Sequence, residues 1–500
     1  MSGLPKGWVQ IDFDEAIEVI SDRGLRIKQK VYLPSGKLAV VDQGEGLIGG
    51  YTNDLNAVVC AQAPVIVFGD HTRRFKFVKF PFAVGADGVK LFVATRIWNP
   101  EFLFSQLGTI DLENRGYGRH YQHLRKQSLV VAPLAEQTRI VAKLEELLSD
   151  LDAGVAELKA AQKKLGQYRQ SLLKAAVEGA LTAEWRAKHT PAETGAQLLE
   201  RILQERRARW EAKQVAKFKE QGKTPPKDWQ KKYPEPVKPD TSDLPELPEG
   251  WVWASLDMLG EIASGVAKGS KIGADIEVRE VPYLRVANVQ RGFLDLSEVK
   301  TILATDRDIA ELTLKDGDVL FNEGGDRDKL GRGWVWRDEV ADCIHQNHVF
   351  RMRPYRPEVL PELISHHGNT FGKTWFQNAG KQTTNLASIN MTMLRMFPVP
   401  LGPADEQREL LRQLELQIEQ IVQQEQAVEL GLQQSTAQRQ NILRAAFAGQ
   451  LVPQDPNDEP VSVLLERIRA ERAVQDAVKK PRGRKVARPP IKKFEKENQC

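Results

Sequence analysis

Two stretches of this chain carry apolar residues at alternating steps of three and four. In the first they fall at Val141, Leu144, Leu148, Leu151, Val155, Leu158, Leu165, Leu172 and Ala176. In the second they fall at Leu411, Leu414, Ile418, Ile421, Val428, Leu432, Ile442 and Ala446. This is the a/d spacing of a coiled coil and predicts two long helices, each with a seam about 50 Å long at ~1.5 Å rise per residue. The breaks are shared: Arg169 and Arg439 occupy the same interior slot, and Gln162 and Ser435 also fall on the seam. Polar seam residues fix register or partner number, or their stems pack while their heads reach water.

The two stretches are copies. Glu136-Gln137 returns as Glu406-Gln407, Arg169-Gln170 as Arg439-Gln440, Ala175-Ala176 as Ala445-Ala446, Gly179 as Gly449 and Leu181 as Leu451. The duplication extends further. Leu4-Pro5-Lys6-Gly7-Trp8-Val9 reappears as Leu247-Pro248-Glu249-Gly250-Trp251-Val252, and LLERILQERRARW (198–210) reappears as LLERIRAERA (464–473). A repeat this long defines the architecture before any local reading. It predicts an α+β chain with a pseudo-twofold internal duplication, in which two α/β heads are joined by two long antiparallel helices. The expected divisions are a first head at 1–132, a helical region at 133–215, a linker at 216–246, a second head at 247–402, a second helical region at 403–477 and a basic tail at 478–500. The linker is rich in proline and lysine and reads as semi-extended.

Within the first head, 57–70 has the character of a buried strand, 73–84 alternates charge with aromatics, and Asp87-Gly88 marks a turn. In the second, 280–296 reads as strand–turn–strand, 314–336 as strand, long glycine-rich loop and strand, and 344–354 as a further strand. Beyond their openings the two heads share little sequence, which suggests two different targets on one frame.

Composition narrows the class. An apolar fraction of 41% supports real cores, and no run of eighteen apolar residues predicts a membrane span. The three cysteines, Cys60, Cys343 and Cys500, are scattered and odd in number, as unpaired thiols of a reducing cytoplasm would be. The formal net charge is +4, but Lys479–Cys500 holds nine Lys/Arg against two Glu, so the body before it is net negative. Binding to nucleic acid would therefore use local patches.

Catalytic patterns are weak. Gly44-x-Gly46-x-x-Gly49 does not open a helix, and Gly368 to Thr374 is one residue short of a phosphate loop. His345 and His348 lack further metal ligands nearby and read as core or DNA-facing residues. No amino-methyltransferase motif and no Ser/His/Asp set is evident. Side chains suited to phosphates and base edges do cluster: Arg73, Arg74, Lys76, Arg115, Tyr117, Arg119 and Tyr121 in the first head, and Arg327, Lys329, Arg332, Lys381, Gln382 and Asn385 in the second. Two other classes stay open on the residues alone: a self-contained DNA methyltransferase or nuclease, and a coiled-coil scaffold for proteins.

The GWV openings, the PLAEQ start at Pro133, the YRQSLLKAA and QRQNILRAA blocks and the PVPLGPADEQ exit together resemble the specificity subunit of a type I restriction–modification system, over roughly residues 1–475. The resemblance implies two target recognition domains reading the halves of a split double-stranded DNA sequence. It implies docking of methyltransferase subunits, two copies expected, and of two restriction subunits. S-adenosylmethionine would sit on the former and ATP with Mg on the latter. This chain would bind no cofactor or metal, catalyse nothing, and act in DNA methylation and phage defence in the cytoplasm.

Overall fold

The structure, a computed structural model, describes residues 3–59, 64–85, 88–113, 116, 118–267, 276–379, 381–382 and 387–479. The chain forms two compact units: residues up to Leu158 together with those from Leu430 onward, and Lys159–Glu429. Four helices frame them: α1 (Leu134–Val177), α2 (Gly195–Glu220), α3 (Ala404–Phe447) and α4 (Val461–Lys479). Each unit thus holds one head and one end of both long helices.

The apolar seam positions are buried or half-buried, whereas Gln162, expected on the seam, is exposed, and the half-buried Ala161 stands beside it. Val141, Leu144 and Ala446 are buried in the first unit, and Leu172, Ala176, Leu414 and Ile421 in the second. Pairing is antiparallel in both. In the first unit Arg439 reaches Asp152 and Gly431 faces Leu158. In the second, Arg169 Nη2 donates to Glu425 Oε2 at 2.6 Å and Tyr168 Oη to Gln417 Oε1 at 3.0 Å. Glu425 fills the seam step between Ile421 and Val428, so the polar Arg169 is answered by a carboxylate on the facing helix.

The repeated short motifs have structural meanings. Both long helices end in the same C-terminal cap. Gly179 and Gly449 stand at φ +66° and +68°, a left-handed conformation that costs glycine little. Ala180 N donates to Ala175 O at 2.9 Å and Gly179 N to Ala176 O at 3.1 Å; Gln450 and Gly449 do the same with Ala445 and Ala446 at 2.8 and 3.3 Å. That paired pattern satisfies carbonyls a helix end leaves open. A Cβ on Gly179 would meet Pro248 Cγ at 2.7 Å, and one on Gly449 would meet Pro5 Cγ at 2.4 Å. Each head's Leu-Pro opening therefore rests on a helix cap, which is why the two motifs repeat together.

The opening strand of each head pairs antiparallel with its closing strand: Val9–Asp12 with Ser128–Val131, and Val252–Ser255 with Pro398–Leu401. Both termini of a head consequently leave side by side. Gly195 N, at the start of α2, donates to Gly250 O at 2.7 Å, and Val461 N, at the start of α4, donates to Gly7 O at 3.0 Å. Leu198 and Ile202 then enter the second head's core, while Val461, Leu464 and Leu465 enter the first head's.

The heads share one strand scheme despite their divergent sequences. The first has an antiparallel four-stranded sheet in the order Ile17–Ile20, Val89–Ala94, Val65–Gly69, Phe75–Val78. Its three-stranded companion centres on Leu38–Val41, antiparallel to Gly50–Thr52 and parallel to Phe82–Val84. The second head repeats this with Gly260–Ser264, Val349–Pro354, Val319–Asn322 and Gly333–Val335, beside Val278–Leu284 flanked antiparallel by Lys300–Thr305 and parallel by Ile344–His345. The duplication thus runs through the heads as well as the helices.

The segment after α2 is extended, as its prolines predict, but it is packed. Trp229 stacks on Trp210 with centroids 5.7 Å apart and meets Phe218 edge-on at 6.1 Å. The buried Arg206 holds Tyr233 Oη at 2.6 Å and Pro234 O at 2.7 Å.

Candidate nucleic-acid interface

In the first head the loops following several strands gather at one place. Asp70 ends the buried strand Val65–Gly69; its carboxylate accepts Tyr121 N at 2.7 Å, and its carbonyl accepts His120 N at 3.1 Å and lies 2.8 Å from His120 Nδ1. Arg73 adopts φ +60° and donates from Nη1 to Leu112 O at 2.6 Å, tying the hairpin turn to the 112–121 loop. Arg74 is exposed and pairs with Glu45 at 3.2 Å, and Arg119 is exposed on the same loop cluster. The structure therefore brings Arg73, Arg74, Arg119 and Tyr121 into one neighbourhood. Tyr121 is partly spent on packing: its ring stacks 6.0 Å from Phe92, with Lys90 Nζ 5.1 Å from its centroid. Burial pushes its phenol above the usual range. Arg115 and Tyr117 lie outside the described residues.

Lys76 is placed differently from the sequence expectation. It is buried beside Val78 on the sheet face covered by the three-stranded companion, with Asp42 Oδ1 at 3.6 Å and Gly46 O at 2.5 Å. Burial lowers the pKa of its ammonium and Asp42 opposes that. It is an internal cation of the head, because the strand's alternation directs Lys76 inward and Phe75 and Phe77 toward the other core.

In the second head Arg327, Lys329 and Arg332 follow the strand Val319–Asn322. Arg327 is exposed, Lys329 pairs with Asp326, and Arg332 Nη2 donates to Val286 O at 3.3 Å while its buried Nε has no partner among the described residues. Lys381 and Gln382 form a short strand beside Ala387–Ser388. Their side chains, and Asn385 altogether, lie outside the described residues.

The sequence reading missed Arg291. Its Nη1 donates to Asn369 O at 2.9 Å and its Nη2 to Asp328 O at 2.7 Å, so carbonyls rather than carboxylates receive it. Burial lowers its pKa, and the neighbouring Arg332 lowers it further. Burial likewise lowers that of Arg332. Asp328 opposes the shift at both guanidiniums, and Asp326 opposes it at Arg332. Phe293, 56% exposed, follows at the turn tip, where Gly292 stands at φ +87°. A glycine between arginine and phenylalanine was the available signal. Arg291, Gly292 and Phe293 open on a cleft of about 1250 Å³ that Trp253, Trp334 and Lys373 also line.

His345 belongs to the core and His348 does not. His345 is fully buried, with Nδ1 2.6 Å from Val349 O, and burial holds its pKa down at about 4. His348 is exposed and bonds to Glu323. No group of three or more His, Cys, Asp or Glu residues suited to a metal occurs among the described residues. No described helix is long and apolar enough to cross a membrane.

No family model matches the chain. The type I restriction enzyme EcoDI specificity subunit of Escherichia coli is 25% identical over 501 residues, covering 96% of this chain and 98% of that protein. This chain resembles type I restriction enzyme specificity subunits along nearly its whole length. The EcoKI specificity subunit of E. coli K12 is 24% identical over 370 residues, 71% of this chain and 66% of that one. Among solved structures, a chain from a study of complex assembly and conformational transition of a type I restriction–modification system superposes with a TM-score of 0.58. It is 18% identical and covers 90% of this chain and all of the other. That likeness establishes a common fold: mixed heads and long helices, as the duplication predicts.

Proposed function

We propose that this chain is the DNA-reading specificity subunit of a type I restriction–modification complex, with no active site of its own. The observation that carries the reading is the strand scheme built twice on one duplicated helical frame, in a chain similar to the EcoDI specificity subunit over 96% of its length. Two heads of one fold and different surfaces suit two different half-sites. Residues 1–132 and 247–402 are the recognition domains, and each head's loop cations contact phosphates and base edges. The helical regions dock two methyltransferase subunits, which carry S-adenosylmethionine, and two restriction subunits, which use ATP and Mg. The complex works in the cytoplasm. Linking two modest interfaces on one chain raises affinity through effective concentration.

Mapping adenine methylation in the host with and without this gene tests the reading. Loss of one split motif, two short halves around a fixed gap, is the expected result. An unchanged pattern with the partner methyltransferase present would overturn it. On the complex, Arg291→Gln is expected to weaken motif DNA binding about tenfold and to lower the log–log salt slope by roughly 0.9, the signature of one lost phosphate contact. Fluorescence anisotropy across a salt series would measure both.

A further inference from the structure

The segment from Arg206 to Lys238 holds eleven Lys/Arg against four Asp/Glu, in a body that is otherwise net negative. Four of these cations are answered locally: Arg207 by Glu211, Arg209 by Glu205, Lys213 by Glu261 and Lys231 by Asp228. The buried Arg206 meets Asp257 at 3.3 Å. Lys217, Lys219, Lys223, Lys227, Lys232 and Lys238 are exposed and have no ion-pair partner among the described residues.

A lysine-rich, proline-rich stretch would by itself stay extended through self-repulsion. Here it is folded back instead. Trp210, Trp229, Phe218 and Tyr233 form one aromatic cluster, and Arg206 ties Tyr233 and Pro234 to Asp257 of the second head. Val237 N donates to Asp257 Oδ2 at 3.1 Å, and Ser255 Oγ reaches Val237 O, so the strap is fixed at both ends of the cluster. Beyond Leu203, α2 contributes nothing to the head's apolar core. Its far half and the strap thus form a pinned lobe whose six unpaired ammonium groups repel one another.

We infer that this lobe is a second, sequence-independent DNA contact, which takes the phosphate backbone flanking the half-site read by the second head. The inference rests on the DNA-reading function proposed above and extends it to residues outside both recognition domains. The charge is complementary to a polyanion. Lysines act there as point charges that need no fixed fork geometry, and the aromatic pin removes the ordering cost that a loose tail would meet on binding.

The test uses the full chain assembled with its methyltransferase partner. Two duplexes carry the methylated motif, one cut back to the motif and one extended by about 20 base pairs on each side. Replacing the six lysines by glutamine is expected to lower the salt slope on the extended duplex by at least ~2, since each phosphate contact contributes roughly 0.9, and to reduce affinity about tenfold or more. The motif methylated and the binding to the short duplex are expected to stay as they are. An unchanged slope on the extended duplex would overturn the proposal while leaving the specificity reading intact. An unchanged slope with weakened assembly would overturn it in favour of an acidic protein surface. Failure of the unsubstituted complex to prefer motif DNA would overturn the underlying reading, and this proposal with it.

Discussion

Replacing Glu406 by glutamine is expected to cost roughly 3 kcal/mol of stability in the second unit, while the same change at its repeat partner Glu136 costs about 1 kcal/mol or less. Both carboxylates sit in the first turn of a long helix, and both receive the indole N–H of the repeated tryptophan: Trp8 to Glu136 at 2.9 Å, Trp251 to Glu406 at 3.0 Å. Their other oxygens differ. Glu406 Oε1 accepts Thr182 Oγ1 at 2.7 Å and Arg186 Nε at 2.9 Å. Glutamine would leave Arg186 unpaired in a site only 23% exposed. Glu136 Oε1 is buried with no partner among the described residues, and burial raises the carboxyl's pKa against the pull of Trp8 and Arg139. The sequence shows why. After Gly449-Gln450-Leu451 comes Val452 where the first copy has Thr182, and no arginine follows until Arg467. Glutamine at 136 keeps an acceptor for Trp8 and removes an uncompensated buried charge. Hydrogen exchange in Val9–Asp12 and Val252–Ser255 would read the two units separately; equal losses in both would contradict this account.

The helical frame was legible because its physics is periodic. An a/d pattern, a glycine three residues past a pair of alanines and a repeated Gly-Trp each encode one local geometry, and each takes the same form in both copies. Glu425 escaped because a charged residue in a seam slot looks like surface until its partner, Arg169, is known to face it. The common topology of the heads was not legible. A fully buried strand constrains only apolarity, so Val-Ile-Val-Phe-Gly (65–69) and Val-Leu-Phe-Asn (319–322) occupy equivalent places with no recognisable likeness. The interface residues were legible as chemistry and not as position. Alternation in 73–84 announces two faces without saying which one water covers, and Lys76 fell on the covered one. Arg291 carried no periodic signal at all, and only the turn that Gly292 makes sets it beside Arg332.

The second unit is expected to lose stability on acidification well before its carboxylates titrate. His345, His366 and His367 all lie there, and burial holds each of them down at about 4 against a usual value near 6.5. The groups facing them reinforce the direction: Arg351 and Arg353 near His345, and Arg169 near His366. His367 is bonded to Pro398 O at 2.8 Å through Nε2, which opposes the shift, while its Nδ1 has no described partner that could hold a second proton. A folded-state pKa below the unfolded value means the unfolded chain binds the proton first. The contribution is therefore complete above about pH 6.5 and is lost as pH falls toward 4, by at most about 1.4 kcal/mol per pH unit for each histidine. Urea melts between pH 7.5 and 4.5, read through exchange in Val349–Pro354 and Pro398–Leu401, would show the fall. His345→Asn keeps a donor in the place of Nδ1 and removes the titration. It is expected to be less stable at pH 7.5 because the imidazole's packing is lost, with a pH slope shallower by as much as one proton. A slope unchanged in that variant would mean that His345 is not among the groups responsible. At neutral pH the three rings are uncharged, and Val349–Pro354 stays paired with Val319–Asn322, the strand after which Arg332 lies.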